Sequence, residues 1–256
     1  GVYQGAAADL LALIRHVPAA PGTLLLVGHD PAIQDLALML AAAPTAAAAS
    51  PVPGTAAEVL DDEVRRILCP DKINTAQWLE VMGTAHRAGL RSTATIMFGH
   101  VDRPVHWARH LIRLRDLQKE TGGFTELVPL PFVAGEAPIA LKGQARMGPT
   151  FREAVLMHSV GRLALNPHIR NIQTSWVKMG IEGAKYCLNA GANDLGGTLM
   201  NESITRAAGA EHGEELPPDR MEALIAELGR TSRIRTTLYG DAGTERHAAA
   251  HAAKEL

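Results

Sequence analysis

The sequence predicts an α/β fold, specifically part of a (β/α) barrel, on three observations. Runs of β-branched and apolar residues, RSTATIMF at 91–98, FTELVPLP at 124–131 and NIQTSWV at 171–177, recur along the chain with a shorter fourth near 193–196. Each is followed by a segment with helical hydrophobic spacing, and strand–helix alternation of this kind calls for right-handed crossovers and a parallel sheet. A whole barrel needs eight such units in about 250 residues. Four or five are legible here, which predicts about half a barrel.

The elements follow in order. Ahead of the barrel-like region, Leu10, Leu11, Leu13 and Ile14 lie at helical spacing, and Pro18 and Pro21-Gly22 end that helix. Residues 23–27 read as a buried strand and 34–43 as a second helix. This gives a short α-β-α segment over 1–43. Residues 41–50 contain seven alanines, Pro51 and Pro53 follow, and residues 1–50 carry only four charges, Asp9, Arg15, Asp30 and Asp35. So abrupt a change makes 44–52 an Ala/Pro-rich seam between unlike segments, and a piece as short as 1–43 rarely builds its own core. The main unit is expected over 53–240, with a polar tail over 241–256.

Within that unit Pro104 opens a helix at its favoured first position, with Trp107, Leu111 and Leu114 on one face. Pro149 opens the next, to about Leu165. Further helices are expected at 181–189, from Glu202 and from Pro218. An open sheet edge invites pairing, so strand 23–27 is expected beside 91–98 or near Pro53.

Composition narrows the function. Hydrophobic residues make up 46% and charged residues 20%, too much core-forming material for a disordered chain. A net charge of −2 recruits no nucleic acid, and aromatics at 4% give no stacking platform for single strands. No apolar run reaches membrane-span length, and the first residues lack a basic signal-peptide start, so a cytoplasmic protein is expected. Two cysteines, Cys69 and Cys187, form no disulfide framework and cannot alone hold an iron–sulfur cluster.

Working groups of a barrel sit at the carboxyl ends of its strands. The candidates there are His100 after the first strand, Glu136 in the loop after the second, Ser175 and Trp176 with Lys178 at the third, and Asn193, Asp194 and Thr198 running into Asn201, Glu202 and Ser203 at the fourth. Glu58 precedes the first at a helix start. Each has a structural alternative: a dipole-favoured carboxylate for Glu58, a turn histidine for His100, a solvated side chain for Glu136, a core ring for Trp176 and turn chemistry for Asn193-Asp194. Gly196-Gly197 suggests close approach of a ligand to the backbone. His106 and His110 have a metal-compatible spacing, yet no carboxylate motif accompanies them, and a solvated helix face is expected. Cys69-Pro70 reads as a helix end.

The strings PGTAAEVLDDEVRRILCPDKINTAQWLEVMGTAHRAGLRSTATIMFGHVD, FTELVPLPF, IQTSWVKMG and NDLGGTLMNES resemble the radical SAM deazaflavin-synthase family, and within it the tyrosine-coupling half of FO synthases, over about residues 53–240. The resemblance implies the C-terminal half of a radical SAM barrel, S-adenosylmethionine and a 4Fe–4S cluster as cofactors, and tyrosine and 5-amino-6-(D-ribitylamino)uracil as substrates. It also implies transfer of a 4-hydroxybenzyl group toward FO, the precursor of coenzyme F-420. The sequence departs from the family in two places. The CxxxCxxC cluster motif is absent, with Cys69 and Cys187 matching none of its positions. The loop Val133-Ala134-Gly135-Glu136 and Ala140 also differ from the family's pattern, where larger polar groups are expected.

The opening string LLALIRHVPAAPGTLLLVGHDPAIQDLALML resembles the C-terminal part of SixA-type phosphohistidine phosphatases. His29 would match a catalytic histidine there, but the Arg-His-Gly nucleophile motif is missing and phosphatase activity is not expected. Two expectations result. Either the chain works with a cluster-bearing barrel half supplied in trans, or it is a non-catalytic fragment or chimeric reading frame. A homodimer through open sheet edges is the alternative assembly.

Overall fold

Alternation of side chains along a strand puts one row on each face, and residues 91–98 follow that rule with burial switching at every step. The computed structural model describes the backbone of residues 51–52, residues 59–198 and 215–252, and the single positions 209 and 212. Among these are β1 (Pro51–Val52), α1 (Asp62–Leu68), α2 (Thr75–Arg87), β2 (Arg91–Phe98), α3 (Pro104–Thr121), β3 (Phe124–Pro131), α4 (Pro138–Leu141), α5 (Phe151–Leu165), α6 (Trp176–Asn189), α7 (Pro218–Glu227) and α8 (Gly243–Ala252). The fold is mixed α/β with a small parallel sheet in the order β1-β2-β3.

β2 and β3 pair in parallel from Ser92–Phe124 to Phe98–Pro131, with one irregularity between Ser92 and Thr93. That register sends Ala94, Ile96 and Phe98 to one face, where they pack with Leu111 and Leu114 of α3, Met82 and Trp78 of α2, and Met157 of α5. Phe98, Ile96 and Leu114 are fully buried, each contributing roughly 1.5–3 kcal/mol by leaving water. Thr93, Thr95 and Met97 project from the opposite face, beside Glu126, Val128 and Leu130. That face carries the polar groups described below.

Helix ends follow local chemistry. Asn74 and Gln77 form a reciprocal capping box at the start of α2, as do Thr150 and Glu153 at α5. α5 therefore begins at Phe151, two residues past Pro149. Pro104 and Pro218 both occupy first-turn positions, as their fixed φ favours. Cys69 caps the C-terminus of α1, as its position before Pro70 suggested.

Three sequence expectations are corrected. The strand expected over 171–177 shrinks to a single parallel bridge at Ile172 with Leu127, continued by another between Gln173 and Asp194. Asn side chains take over its ladder: Asn171 Nδ2 donates to Thr125 O at 2.9 Å, and Ile172 N–H donates to Asn193 Oδ1 at 2.8 Å. The fourth strand, expected near 193–196, is likewise only the bridge at Asp194. The chain then turns at Ser175 into α6, which starts at Trp176 and is interrupted at Gly180 (φ 67°, ψ 173°), so the expected helix over 181–189 is its second part.

The third correction concerns α3. His106 and His110, expected on a solvated face, are 4% and 0% exposed. The segment before α1 and the first turn of α1 cover them: Leu60 N–H donates to His110 Nδ1 at 3.0 Å, and His106 Nε2 lies 3.1 Å from Glu63 Oε2.

The expected helices and strand within 1–43, the pairing of strand 23–27 and the helix from Glu202 lie outside the described residues. At the sheet edge where that pairing was expected, β1 runs parallel to β2, with Pro51 opposite Arg91 and Val52 opposite Ser92. Its two residues end the Ala/Pro-rich seam. The expected polar tail contains α8. No helix among the described residues is long and apolar enough to cross a membrane.

Candidate functional site

The turn after β2 is built around one carboxylate. Asp102 accepts from Gly99 N–H at 2.9 Å, from His100 N–H at 2.8 Å and from the Trp107 indole. Gly99 adopts φ 94°, and an added Cβ would lie 2.3 Å from Pro149, so only glycine fits this junction. His100 is fully buried. Its Nδ1 accepts from Val101 N–H at 2.8 Å, which leaves Nε2–H to donate to Met97 O at 2.9 Å. The ring fixes the turn, its Nδ1 also lying 3.3 Å from Asp102 Oδ1, and it packs edge-on against Phe132 at 5.7 Å.

After β3 the chain crosses back by a bond from Phe132 N–H to Phe98 O at 2.9 Å. The loop then exposes Glu136, while Ala134 and Ala140 are buried beside it. Small residues at 134 and 140 thus serve packing.

At the third and fourth positions one sequence candidate, Trp176, reaches the segment that carries another, Thr198. Trp176 is buried, and its Nε1–H donates to Gly197 O at 3.0 Å. This ties the start of α6, with Ser175 at its N-cap, to the 196–198 turn that carries Thr198. Gly196 has φ 79°, and its missing side chain makes room for Gln173, whose Nε2 would lie 2.6 Å from a Cβ. Asn193 is structural: its Oδ1 accepts from Ile172 N–H and, at 2.7 Å, from Arg162 Nη2.

Asp194 joins a polar cluster on the sheet face turned away from the helices. Arg235 Nε donates to its Oδ2, Tyr239 Oη lies 2.6 Å from the same oxygen, and Gly196 N–H donates to Oδ1 at 2.6 Å. Glu126 of β3 completes the group, accepting from Thr93 Oγ1 at 3.0 Å, from Arg235 Nη2 at 3.4 Å and from the Tyr239 phenol. The Arg235 guanidinium also sits 4.1 Å over the Tyr239 ring. Burial pushes the Tyr239 phenol well above its usual range, and the adjacent Asp194 and Glu126 carboxylates add to the effect. One phenol hydrogen can serve only one carboxylate at a time, so Arg235 is the counter-charge that holds both acids. Thr93 and Glu126 lie near the start of their strands, the end of a parallel α/β sheet associated with stability. Sequence reasoning found Asp194 but missed Glu126, Arg235 and Tyr239. Their partners across the cluster lie 33 to 113 residues away, and the available signal was the Tyr239-Gly240 pair after Arg235, which forms a turn.

His29, Glu58, Asn201 and Glu202 lie outside the described residues.

The residues of the chain do not fit an iron–sulfur cluster. Cys187 is fully buried in the α6 core, and burial pushes its thiol up to about 11, despite a hydrogen bond with Thr174 that lowers it. A cluster needs thiolates. Cys69 closes α1 in a different part of the fold, and neither cysteine joins a group of three converging donors among the described residues. One such group, Asp61, Glu63 and His106, is already spoken for. Arg109 and Arg113 neutralise Asp61 at 3.1 and 3.4 Å, and His106 Nδ1 caps α3 through Arg103 N–H at 3.1 Å.

Residues 121–247 match the family described as the CofH/MqnC C-terminal region. The chain is 54% identical over 188 residues to an FO synthase of Mycobacterium leprae, covering 73% of this chain and 22% of that protein. It is 54% identical over 199 residues to an FO synthase of Streptomyces coelicolor, covering 78% and 23%. It is also 52% identical over 188 residues to a 5-amino-6-(D-ribitylamino)uracil–L-tyrosine 4-hydroxyphenyl transferase of Methanopyrus kandleri, covering 73% and 51%. The chain thus matches less than a quarter of the length of these two FO synthases and about half of the transferase.

Proposed function

We propose, from the match of residues 121–247 to the CofH/MqnC C-terminal region, that the chain is the substrate-orienting C-terminal part of an FO synthase-type transferase. The transferase relative is named for 5-amino-6-(D-ribitylamino)uracil and tyrosine, and these are the substrates the proposal carries over. The sheet belongs, in this reading, to the C-terminal half of a (β/α) barrel. Parallel pairing that continues from β1-β2-β3 through Ile172 to Asp194 supports it.

The observation that carries the proposal is the tie between Trp176 and Gly197. It sets the Ser175 hydroxyl and Thr198 at neighbouring strand-following turns, where ligands of parallel α/β sheets bind. Ser175, Thr198 and the exposed Glu136 are the proposed polar contacts. His100, Asn193 and Asp194 act beneath them by fixing turns and the sheet face, and Trp176 supplies a rigid wall. What these side chains can do is bind, orient and desolvate; radical initiation is assigned to a cluster-bearing segment, in cis or in trans, which also brings S-adenosylmethionine.

The test is calorimetric titration of the chain, joined with a cluster-bearing segment, with 5-amino-6-(D-ribitylamino)uracil. Ser175→Ala and Thr198→Val are each expected to weaken binding about fivefold, the effect of one hydrogen bond of about 1 kcal/mol. Affinity unchanged in both variants would remove this rim from the substrate site.

A further inference from the structure

A second group of converging donors lies away from the sheet, between the last two helices. His247 and His251 are one helical turn apart on α8, their rings stacked 4.4 Å apart at 18°. Glu222 of α7 faces both, its Oε1 lying 3.7 Å from His247 Nε2 and 3.2 Å from His251 Nε2. Asp219 Oδ1, one turn earlier on α7, lies 3.4 Å from His251 Nε2. The ligand atoms of Glu222, His247 and His251 all fall within 4.8 Å of one another.

The hydrogen bonding of His251 favours a metal. Its Nδ1 lies 2.9 Å from the His247 carbonyl and can only donate there, the arrangement that orients ligating histidines and frees Nε2 as the donor atom. With Nδ1–H so committed, Nε2 faces two carboxylates; the bond to the His247 carbonyl and these carboxylates raise the ring's pKa, so a proton and a metal compete for Nε2. A cation between them resolves that contact. Two imidazoles at i, i+4 with a carboxylate from a neighbouring helix form a nitrogen–oxygen donor set of the zinc class. Glu222 and His247 also line a cavity of about 470 Å³, which leaves one side of the ion open to water.

We propose that Glu222, His247 and His251 form a binding site for a zinc-class divalent ion that clamps α8 onto α7. Neither the family assignment nor the tyrosine-transfer reading requires such an ion, and α8 extends past the end of the family match at residue 247.

The test is equilibrium dialysis of the full chain against Zn²⁺ at neutral pH, with Co²⁺ absorbance as a second readout of coordination. The expected result is a single tightly held ion, and His247→Gln, His251→Gln and Glu222→Gln should each weaken it at least about tenfold. All three lie on exposed or half-exposed helix surface, and circular dichroism checks that the variants fold. His106→Gln, which alters the other donor group, should leave binding unchanged. No binding at micromolar Zn²⁺, equal affinity in His251→Gln, or loss in His106→Gln alone would each overturn the proposal. The first would mean that a proton on His251 holds the carboxylates instead.

Discussion

Tyr239 Oη lies 2.6 Å from Asp194 Oδ2, and it reaches that carboxylate from a backbone with φ 63°. A tyrosine in the left-handed region costs of order 1–2 kcal/mol, so the contacts of its side chain must outweigh that strain. They do so through the two carboxylates, Asp194 and Glu126, and the stacked Arg235. The segment from Arg235 to Asp241 is thereby pinned across the sheet face.

Removing only the phenol oxygen isolates this contribution. Tyr239→Phe should destabilise the chain by about 1–3 kcal/mol, because two buried carboxylates lose a shared donor. Urea denaturation would read this as a lower midpoint with an unchanged slope. An unaltered midpoint would mean that Arg235 alone holds the cluster.

Gly99 and Gly89 separate backbone strain from steric clash. Both have positive φ, 94° and 88°, but a Cβ on Gly99 would meet Pro149 at 2.3 Å while one on Gly89 would meet nothing within 4 Å. Gly89→Ala should cost about 1 kcal/mol and Gly99→Ala clearly more than about 2 kcal/mol. Equal losses in thermal unfolding would show that the turn at 98–102 can shift to admit a side chain.

His86 should make stability depend on acidity. Its ring nitrogens contact Thr121 Oγ1 at 2.9 Å and Ser92 Oγ at 2.8 Å, and Phe124 packs edge-on at 4.6 Å. Burial, with Arg91 and Arg87 nearby, lowers its pKa to about 4. In the unfolded chain it titrates near 6.5. Between those values the unfolded state binds more protons, so stability is full above about pH 6.5 and falls as the pH drops toward 4. At about 1.4 kcal/mol per unit, the loss is of order 3 kcal/mol. His110 and His158, also held neutral by burial, act in the same direction. Urea titrations at several pH values would check this, and His86→Asn should flatten the dependence.

The contrast between legible and illegible parts has a physical origin. β2 and β3 could be read because β-branched and apolar residues cluster in them, and the Trp107, Leu111 and Leu114 stripe of α3 because its period is local. The strand at 171–177 misled because Asn171 and Asn193 side chains replace ladder bonds, which composition does not reveal. His110 looked solvated because its burial depends on Leu60, 50 residues earlier. At the candidate site, Asp194 and Trp176 were legible from their position after strand-like runs. The partners that define what Asp194 does come from the far end of the chain, and no local pattern announces them.

In the proposed division of labour, this chain would orient substrates and radical initiation would fall to cysteines it lacks. The direct measurement is anaerobic reconstitution with iron and sulfide, followed by S-adenosylmethionine, tyrosine and 5-amino-6-(D-ribitylamino)uracil, with cluster content, deoxyadenosine and coupled product quantified together. No 4Fe–4S cluster and no deoxyadenosine are expected from the chain by itself, and all three signals are expected once a segment bearing CxxxCxxC is joined to it. A cluster and deoxyadenosine formed by the chain alone would contradict the account, as would a cluster-loaded assembly that cleaves S-adenosylmethionine yet couples nothing.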